Sequence, residues 1–454
     1  MKKAIKNLRK IFWNANGVKK PVVLLVVLAA SLYGQAQPWS LKQCIDTAQV
    51  HNKNLQMGRN NMLLGEEKMH EAQAYLIPKV TIGADYKYYF ELPYQLMPMT
   101  TFNPTAPEGE FKEAQFGVPH NINATIQFVM PLYNPQVYGA IQTTKIAAEL
   151  SELQYKKSEE QVYFEISNLY YNAQILKHQQ AFIDSNLTNT KLLLENLQLL
   201  YNQQIIKKSD VTKVELQKEQ LLTQRNRVTN SYNQVVNALK FSMGIPFNQN
   251  IAIEPQIENL SIPDYQNLET VDMQLASTQN RLIGSELSTL KHSRLPSVSI
   301  LGNYSQVGFG YTDASNDFLK FFPVSFTGVQ ISYPLFNGTV TSRKINQKKI
   351  EFQNSELQVA LVNEQNSMLS ENAKQQRFVT QQTIKNTLEQ INLATTVYEQ
   401  MLLQQKQGTV SLTEVLLADN ALREAQQSYL SAIVEYLKAD LELKKLTGNI
   451  SLRN

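Results

Sequence analysis

The chain has 454 residues, of which 43% are hydrophobic and 18% are charged, so it is long enough for two or three ordinary domains and too apolar for a disordered tail. The longest apolar run, from Pro21 to Tyr33, is interrupted only by Ser31 and is shorter than the ~18 residues of a membrane-spanning helix. Length and composition therefore exclude a polytopic helical membrane protein.

The N-terminal segment, residues 1–36, has the organisation of a secretory signal peptide. Basic residues and no acidic ones precede the apolar run: Lys2, Lys3, Lys6, Arg9, Lys10, Lys19 and Lys20. Gly34 and Ala36 are small residues three and one before a cut, so we expect cleavage after about Ala36. Without this segment the formal net charge changes from +4 to −3, which removes the argument for a nucleic-acid partner. The single cysteine, Cys44, forms no internal disulfide and is too far from the cut to carry a lipid anchor.

Glutamine and asparagine number 45 and 39, together slightly more than the charged residues. This composition is typical either of low-complexity, aggregation-prone chains or of long helices with uncharged polar faces. The distribution of helix breakers favours helices, because proline is missing between Pro135 and Pro246 and again after Pro334. Glycine is equally rare, because none lies between Gly139 and Gly244 and only Gly408 lies between Gly338 and Gly448.

Apolar residues in both blocks recur at the 3.5-residue period of supercoiled helices. The first seam runs from Val162 to Tyr201 with two polar exceptions, and the second runs from Val415 to Leu446 with none. Several seam residues are alanine, which indicates that the helices approach closely. A helix from about Pro135 to Tyr201 would be roughly 100 Å long at ~1.5 Å per residue.

The two blocks are also copies of each other. A shift of 204 residues pairs Ser209-Asp210-Val211 with Thr413-Glu414-Val415, and it pairs Gly244 with Gly448. The spacing predicts a tandem duplication. The first structural repeat covers 37–247, a linker covers 248–267, and the second repeat covers 268–454.

Ahead of each block the apolar period changes to 2, as in half-buried strands of membrane-barrel length. The four predicted strands run from Val80 to Phe90, from Asn121 to Met130, from Ser297 to about Phe309, and from Val324 to Leu335. They form two strand hairpins, at about 79–132 and 297–335. In the last strand the alternation slips near Gly328, which indicates a bulge. One loop joins the two strands of each hairpin: Pro93 to Pro119 in the first and Gly310 to Pro323 in the second.

Four strands cannot close a barrel, because the smallest membrane barrels have eight and an open edge in lipid leaves backbone groups unpaired. The chain must therefore oligomerise. An exported, barrel-forming chain with long coiled-coil helices is expected in an outer membrane, with its helices on the periplasmic side. Two alternatives are a passive porin, which would need only the barrel, and a soluble periplasmic scaffold, which would not need the strand faces.

The sequence contains no pattern that favours an enzyme. The densest cluster of acids and histidine is Glu66, Glu67, His70 and Glu71, whose i,i+4 spacing is more common on a solvated helix face than in a metal site. Nucleophile elbows, phosphate loops and paired-cysteine zinc motifs do not occur. We therefore expect no enzymatic activity and no cofactor.

Four motifs, in this order, resemble those of the TolC-like outer membrane efflux proteins. They are Trp39-Ser40-Leu41 with Cys44, Ile45 and Ala48; Pro-Leu-aromatic-Asn after each hairpin; Gly408-Thr409 before Glu414-Val415; and Leu-x-x-x-x-Gly closing each repeat. The resemblance covers essentially the whole mature chain. It implies a homotrimer with one 12-stranded barrel, continued by a helical tunnel that tapers at its periplasmic end. The implied role is the exit duct of a tripartite efflux pump or a type I secretion system, exporting small molecules or polypeptides. The implied partners are a periplasmic adaptor (membrane fusion) protein, an inner membrane pump and outer membrane lipid.

In that family the turns between the long helices form the periplasmic tip, which meets the adaptor and gates the pore. The matching turns here are Tyr201 to Asp210 and Lys406 to Glu414. The match to the acidic ring of the aperture implies a gate at Asp210 and Glu414, although first-turn acids are also favoured by the helix macrodipole. The adaptor contacts that the match implies are Tyr201, Gln204, Ser209, Val211, Gly408, Thr409, Thr413 and Val415.

The chain departs from the family pattern at three positions of the turns. Leu417 stands where a second acid is common, and Val410 stands where some members carry a locking arginine. Gln204 replaces an expected glycine in the first turn.

Overall fold

The structure is a computed structural model that describes residues 38–257, 264–311 and 320–450. The predicted signal peptide, part of the predicted linker and the centre of the predicted loop Gly310 to Pro323 lie outside the described residues. The helices are α1 (Leu41–His51), α2 (Lys53–Ala74), α3 (Pro135–Asn202), α4 (Lys208–Met243), α5 (Val271–His292), α6 (Val340–Lys406) and α7 (Leu412–Leu446). The strands are β1 (Lys79–Tyr88), β2 (Tyr94–Pro98), β3 (Phe111–Gln115), β4 (His120–Tyr133), β5 (Ser297–Gly310) and β6 (Lys320–Ser332).

The chain forms two compact units, and each repeat contributes to both. Among the described residues, the helical unit contains 38–56, 158–257, 264–268 and 369–450. The strand unit contains Met57–Lys157 and Glu269–Met368, and therefore all six strands. The units differ from the predicted repeats because the long helices α3 and α6 each run from one unit into the other.

The long helices occur where breakers are missing from the sequence. α3 has 68 residues and α6 has 67, and each precedes a second helix of about half that length. In the helical unit most predicted seam positions are buried, from Ile166 and Ala173 in α3 to Val415 and Leu443 in α7. The predicted supercoiled seams are therefore confirmed as packing surfaces. Among the described residues, no helix has both the length and the apolar character needed to cross a membrane.

The strand unit contains an antiparallel sheet of four long strands in the order β1-β4-β5-β6. These are the four predicted strands, although β1 ends at Tyr88, before Phe90, and β6 begins at Lys320, before Val324. The predicted loop from Pro93 to Pro119 is wrong in part, because β2 and β3 pair within it as a separate two-stranded sheet. Both edges of the four-stranded sheet, β1 and β6, lack a partner strand among the described residues.

The register of the long strands defines two chemically different faces, since directly paired residues share a face. The apolar face carries, among others, Val80, Ile82, Ala84, Tyr86, Ile122, Ala124, Ile126, Phe128, Met130, Val298 and Ile300. The polar face carries, among others, Thr81, Asp85, Lys87, Asn121, Asn123, Thr125, Gln127, Ser299, Asn303 and Ser305. This two-sided pattern is typical of strands with lipid on one side and water on the other.

The predicted bulge near Gly328 is wrong. β5 pairs with β6 in one unbroken register from Ser297↔Ser332 to Phe309↔Lys320, and Gly328 lies opposite Leu301. The register shift in the sheet falls instead between Pro131 and Tyr133, where β4 pairs with β5. The apolar residues of β6 therefore change face at Gly328 without any change in pairing.

Candidate functional site

The two predicted turns are present and lie in the helical unit. The first tip connects the end of α3 at Asn202 to the start of α4 at Lys208. The second tip connects the end of α6 at Lys406 to the start of α7 at Leu412. Each reverses the chain within a few residues.

Both tips turn through a left-handed residue at equivalent positions. Gln204 has φ 61° and Gly408 has φ 73°, and the two are 204 residues apart. After the first, the amide of Ile205 donates to the carbonyl oxygen of Leu200 (2.9 Å), and after the second the amide of Thr409 donates to that of Gln404 (3.0 Å). This hydrogen bond closes a helix C-terminus in the Schellman arrangement. The duplicated sequence therefore folds into a duplicated turn.

The tips differ in how the next helix begins. Ser411 and Glu414 form a capping box in which the Ser411 amide donates to Oε2 of Glu414 (2.9 Å). In the first tip Lys207 stands at the cap without a capping side chain, and Asp210 pairs with Lys213 (3.2 Å). Both predicted gate acids thus occupy the same position of a first helical turn. The macrodipole interpretation and the gate interpretation apply to the same side chains.

The predicted contact residues divide into exposed and buried groups. The exposed group is Tyr201, Gln204, Ser209, Gly408, Thr409 and Thr413, together with the gate acid Glu414, whereas Asp210 is half-buried. Val211 is 7% exposed and Val415 is fully buried, so these two pack inside the helix ends. A partner could reach them only if the helices separated.

A shared core supports both tips. It includes Leu197 of α3, Val214 of α4, Tyr398 of α6, and Val415 and Leu422 of α7. Because one cluster receives side chains from all four helices, displacement of one tip disturbs the packing beneath the other.

A buried polar cluster, which the sequence pattern did not predict, lies next to this core. Asp419 of α7 is 4% exposed, accepts a hydrogen bond from Nε2 of Gln217 on α4, and forms an ion pair with Arg423, one turn along α7. Burial raises the pKa of the Asp419 carboxyl, and Arg423 and Gln217 only partly oppose that rise. Burial also raises the pKa of the neighbouring Tyr398 hydroxyl to about 12. We name this set the α4–α7 link.

One signal in the sequence could have identified the link. Asp419 and Arg423 are opposite charges at i,i+4, and each directly follows a seam residue, Ala418 and Leu422 respectively. Charges beside a seam are candidates for burial. Their partner on α4, 202 positions earlier, required the structure.

An open groove of about 790 Å³ extends from the tips along α3 and α6. Leucines and amides line it, including Leu192, Leu199, Asn196, Gln405 and Gln426. Its mixed lining provides apolar contact and hydrogen-bonding groups to a partner helix rather than a closed pocket for a small molecule.

The acidic and histidine cluster on α2 is not built as a metal site in the described residues. Glu66, Glu67, His70 and Glu71 are all exposed. Across residues 38–257, 264–311 and 320–450, no group of three or more potential ligands is placed to hold a metal ion.

Comparisons with known proteins were made at the level of families, of single sequences and of solved structures. No family model matches the chain. Among curated proteins, it is similar to outer membrane protein TolC of Salmonella enteritidis, with 18% identity over 465 residues covering 96% of this chain and 87% of TolC.

Solved structures resemble the chain over most of its length. Outer membrane protein VceC of Vibrio cholerae matches with a TM-score of 0.73 and 16% identity, covering 92% of this chain and 98% of VceC. The CmeC outer membrane channel of Campylobacter jejuni matches with a TM-score of 0.73 and 14% identity, covering 90% and 85%. At these identities the likeness establishes the fold.

Proposed function

Because the chain has the fold of the TolC-like outer membrane channels, we propose that it is the exit duct of a tripartite efflux pump or a type I secretion system. In that fold, four strands per chain build one third of a trimeric 12-stranded barrel, and the long helices continue it as a tunnel. The resemblance that the motifs indicated is confirmed. The duct spans the outer membrane and exports small molecules or polypeptides that an inner membrane pump delivers.

The observation that carries this proposal is the four-stranded sheet, which has one apolar face and two edges without a partner strand in the part of the chain that the structure describes. In lipid such a sheet is stable only if its edges pair with other copies, because an unpaired backbone group in hydrocarbon costs several kcal/mol. Aromatic side chains at both ends of the strands support a membrane position, since barrels carry aromatic girdles at both interfaces. Exposed examples are Tyr88, Phe90 and Phe321 at the loop end, and Tyr75, Tyr333 and Phe336 at the helix end.

The tips are the proposed docking surface for the periplasmic adaptor. Their exposed residues form compact turns on a shared buried core, so a partner meets a defined backbone shape. Val211 and Val415 support that shape from within, and the contact surface is the exposed set with Ser209 and Thr413 at equivalent positions.

Site-specific cross-linking tests the docking proposal. Cys44 is fully buried and burial raises the pKa of its thiol to about 12, so the native thiol does not compete for the reagent. We expect Ser209→Cys and Thr413→Cys to capture the adaptor in cells, while export and trimer formation remain intact. Ser431→Cys, on an exposed face of α7 far from the tip, is the matched control and should capture none.

Two results would contradict the proposal. A stable monomer in mild detergent would exclude the trimeric duct. Export with intact efficiency but no adaptor capture from either tip would place docking on the helix flanks, where the groove lies.

The proposed gate is the set of first-turn acids at the two tips. Three copies of Glu414 and Asp210 around one axis would concentrate negative potential, so the open duct should prefer cations. Glu414→Gln removes the charge and keeps a side chain that can complete the capping box. Together with Asp210→Asn, it should weaken cation selectivity in planar bilayers without reducing trimer yield. Unchanged selectivity in the double variant would place the constriction elsewhere.

A further inference from the structure

The polar face of the sheet contains an apolar strip that the two-sided pattern does not explain. Along β6 the apolar residues before Gly328 that share this face are Phe322, Val324 and Phe326. Lys320, at the start of the strand, shares the face, and its Nζ lies 5.6 Å from the centroid of the Phe322 ring. The neighbouring strand β5 adds Val307 and Phe309, and the rings of Phe309 and Phe322 lie 6.0 Å apart. We name these five apolar residues the lumenal strip.

The unbroken register places the strip on this face. With a bulge at Gly328, the large residues of β6 that precede Gly328 would lie on the apolar face, like those that follow it. Instead Phe322 lies opposite Val307, and Val324 lies opposite Ser305, whose Oγ is 2.9 Å from Oγ1 of Thr125. Phe321 points the other way, across the site where a side chain on Gly308 would stand.

Membrane lipid cannot cover the strip in the assembled duct. The apolar face must meet lipid, so the face with the strip lines the passage. The strip residues are substantially exposed, with Phe326 at 55% and Val324 at 48%.

Copies of the strip on different protomers cannot cover one another either. Twelve strands at ~4.8 Å spacing and ~40° tilt give a backbone radius of about 12 Å, so phenyl rings on different protomers stay apart. Each trimer therefore presents three separate apolar strips to whatever passes through.

We propose that the lumenal strip is a binding site for the aromatic and aliphatic parts of amphiphilic cargo. The surroundings fit this class, because the side-chain amides of Asn303 and Gln330 border the apolar residues on the same face. The apolar part of a cargo molecule contacts the phenyl rings while its polar part stays in water or bonds these groups. This inference rests on the proposed function, since it names the cargo class of that duct.

Current recordings on the purified trimer in planar bilayers test the strip. The probes are phenyl β-D-glucoside and methyl β-D-glucoside, added on the side of the strand loops, and they share the sugar but carry a phenyl or a methyl group on its anomeric oxygen. The phenyl compound should interrupt the current with about fivefold to tenfold longer residence, the range expected for ring contacts. In the double variant Phe322→Ser/Phe326→Ser that difference should disappear.

Val129→Ser is the matched control, because Val129 is an exposed apolar residue on the same face of β4 and lies outside the strip. It should keep the preference for the phenyl compound. If the double variant assembles poorly, Phe322→Leu/Phe326→Leu keeps the apolar volume and should show an intermediate residence time.

The inference is overturned if the wild-type trimer treats the two glucosides alike, or if the serine variant keeps the preference. Such a result would leave the duct itself standing, provided that the trimer conducts and its tips capture the adaptor. Failure to form a conducting trimer would instead overturn the proposed function.

Discussion

The first tip turns through Gln204 and enters α4 without a capping side chain, whereas the second turns through Gly408 and enters α7 with the Ser411–Glu414 capping box. Their backbones nevertheless carry the same closing hydrogen bond. A left-handed conformation costs a residue with a side chain roughly 1–2 kcal/mol, and a missing cap costs about another 1 kcal/mol. The shared core beneath the tips, rather than the turn residues, therefore determines the turn geometry.

The first tip is consequently the weaker of the two. It has a strained turn and an uncapped helix, and the packing of the core below it offsets the cost of both. We expect the first tip to open locally more often than the second, which would make it the more adaptable half of the proposed docking surface.

The α4–α7 link is a second difference between the repeats. In the alignment of the two repeats by a shift of 204, Glu215 and Glu219 of α4 correspond to Asp419 and Arg423 of α7. The two glutamates are exposed, whereas Asp419 is buried and Arg423 is mostly buried. At these aligned positions the second repeat contributes a buried ion pair and the first does not, and the pair binds the first repeat through Gln217.

The largest effect is expected from breaking the link. Arg423→Met leaves the carboxylate of Asp419 buried without its charged partner, which costs about 3–5 kcal/mol. Hydrogen exchange of peptides from α4 and α7 next to the tips should accelerate strongly. The double variant Arg423→Met/Asp419→Asn removes both charges and should recover most of the protection. Equal exchange in the wild type and the single variant would mean that the pair is not desolvated in the assembled protein.

The pH dependence of the same region should follow Asp419. Its pKa in the folded state is raised above the ordinary value because burial disfavours the carboxylate. The stability from this group is therefore fully present below the ordinary aspartate pKa and is lost as pH rises through the raised one. Exchange of α7, corrected for intrinsic rates, should slow as pH falls from neutral. Asp419→Asn should flatten that slope, and an unchanged slope would assign the dependence to other groups.

A smaller effect is expected from the turn residues. A Cβ on Gly408 would meet open space, so Gly408→Val costs only its backbone conformation, about 1–2 kcal/mol. The second tip should then exchange faster, and adaptor capture should fall while the trimer remains. Gly408→Asn tolerates the left-handed region and is the control. Gln204→Gly relieves the left-handed strain of the first tip, so hydrogen exchange at that tip should slow. A loss of capture in the asparagine variant would point to contact by the glycine itself rather than to turn geometry.

Much of this comparison could be predicted from the sequence, because helix seams and turns are local, repeated patterns. The seam from Val415 to Leu446 needed only spacing, and the turn at Gly408 was implied by the resemblance to the efflux proteins. The hairpin β2–β3 was missed because its strands have five residues each and Pro98 interrupts the period. The link was missed because Gln217 meets Asp419 only after the four helices pack.

The sequence predicts only in part which face of the sheet the residues of β6 occupy. Its sequence shows that the alternation slips at Gly328, but either a bulge or a change of face explains the slip. Only the pairing register of the neighbouring strand distinguishes them, because register depends on partners that are distant in sequence.

The smallest effect should come from giving the first tip the cap that it lacks. Lys207 has the extended backbone of an N-cap, with φ −83° and ψ 148°, and Asp210 already stands at the third helical position. Lys207→Ser therefore places a hydroxyl where it can accept from the amide of Asp210, a gain of about 0.5–1 kcal/mol. Exchange at the start of α4 should slow about twofold to fivefold. Lys207→Ala removes the same charge without adding an acceptor and should give no protection. If both substitutions slow exchange equally, relief of the positive charge at the helix N-terminus is the cause, and the asymmetry between the tips is electrostatic rather than a matter of capping.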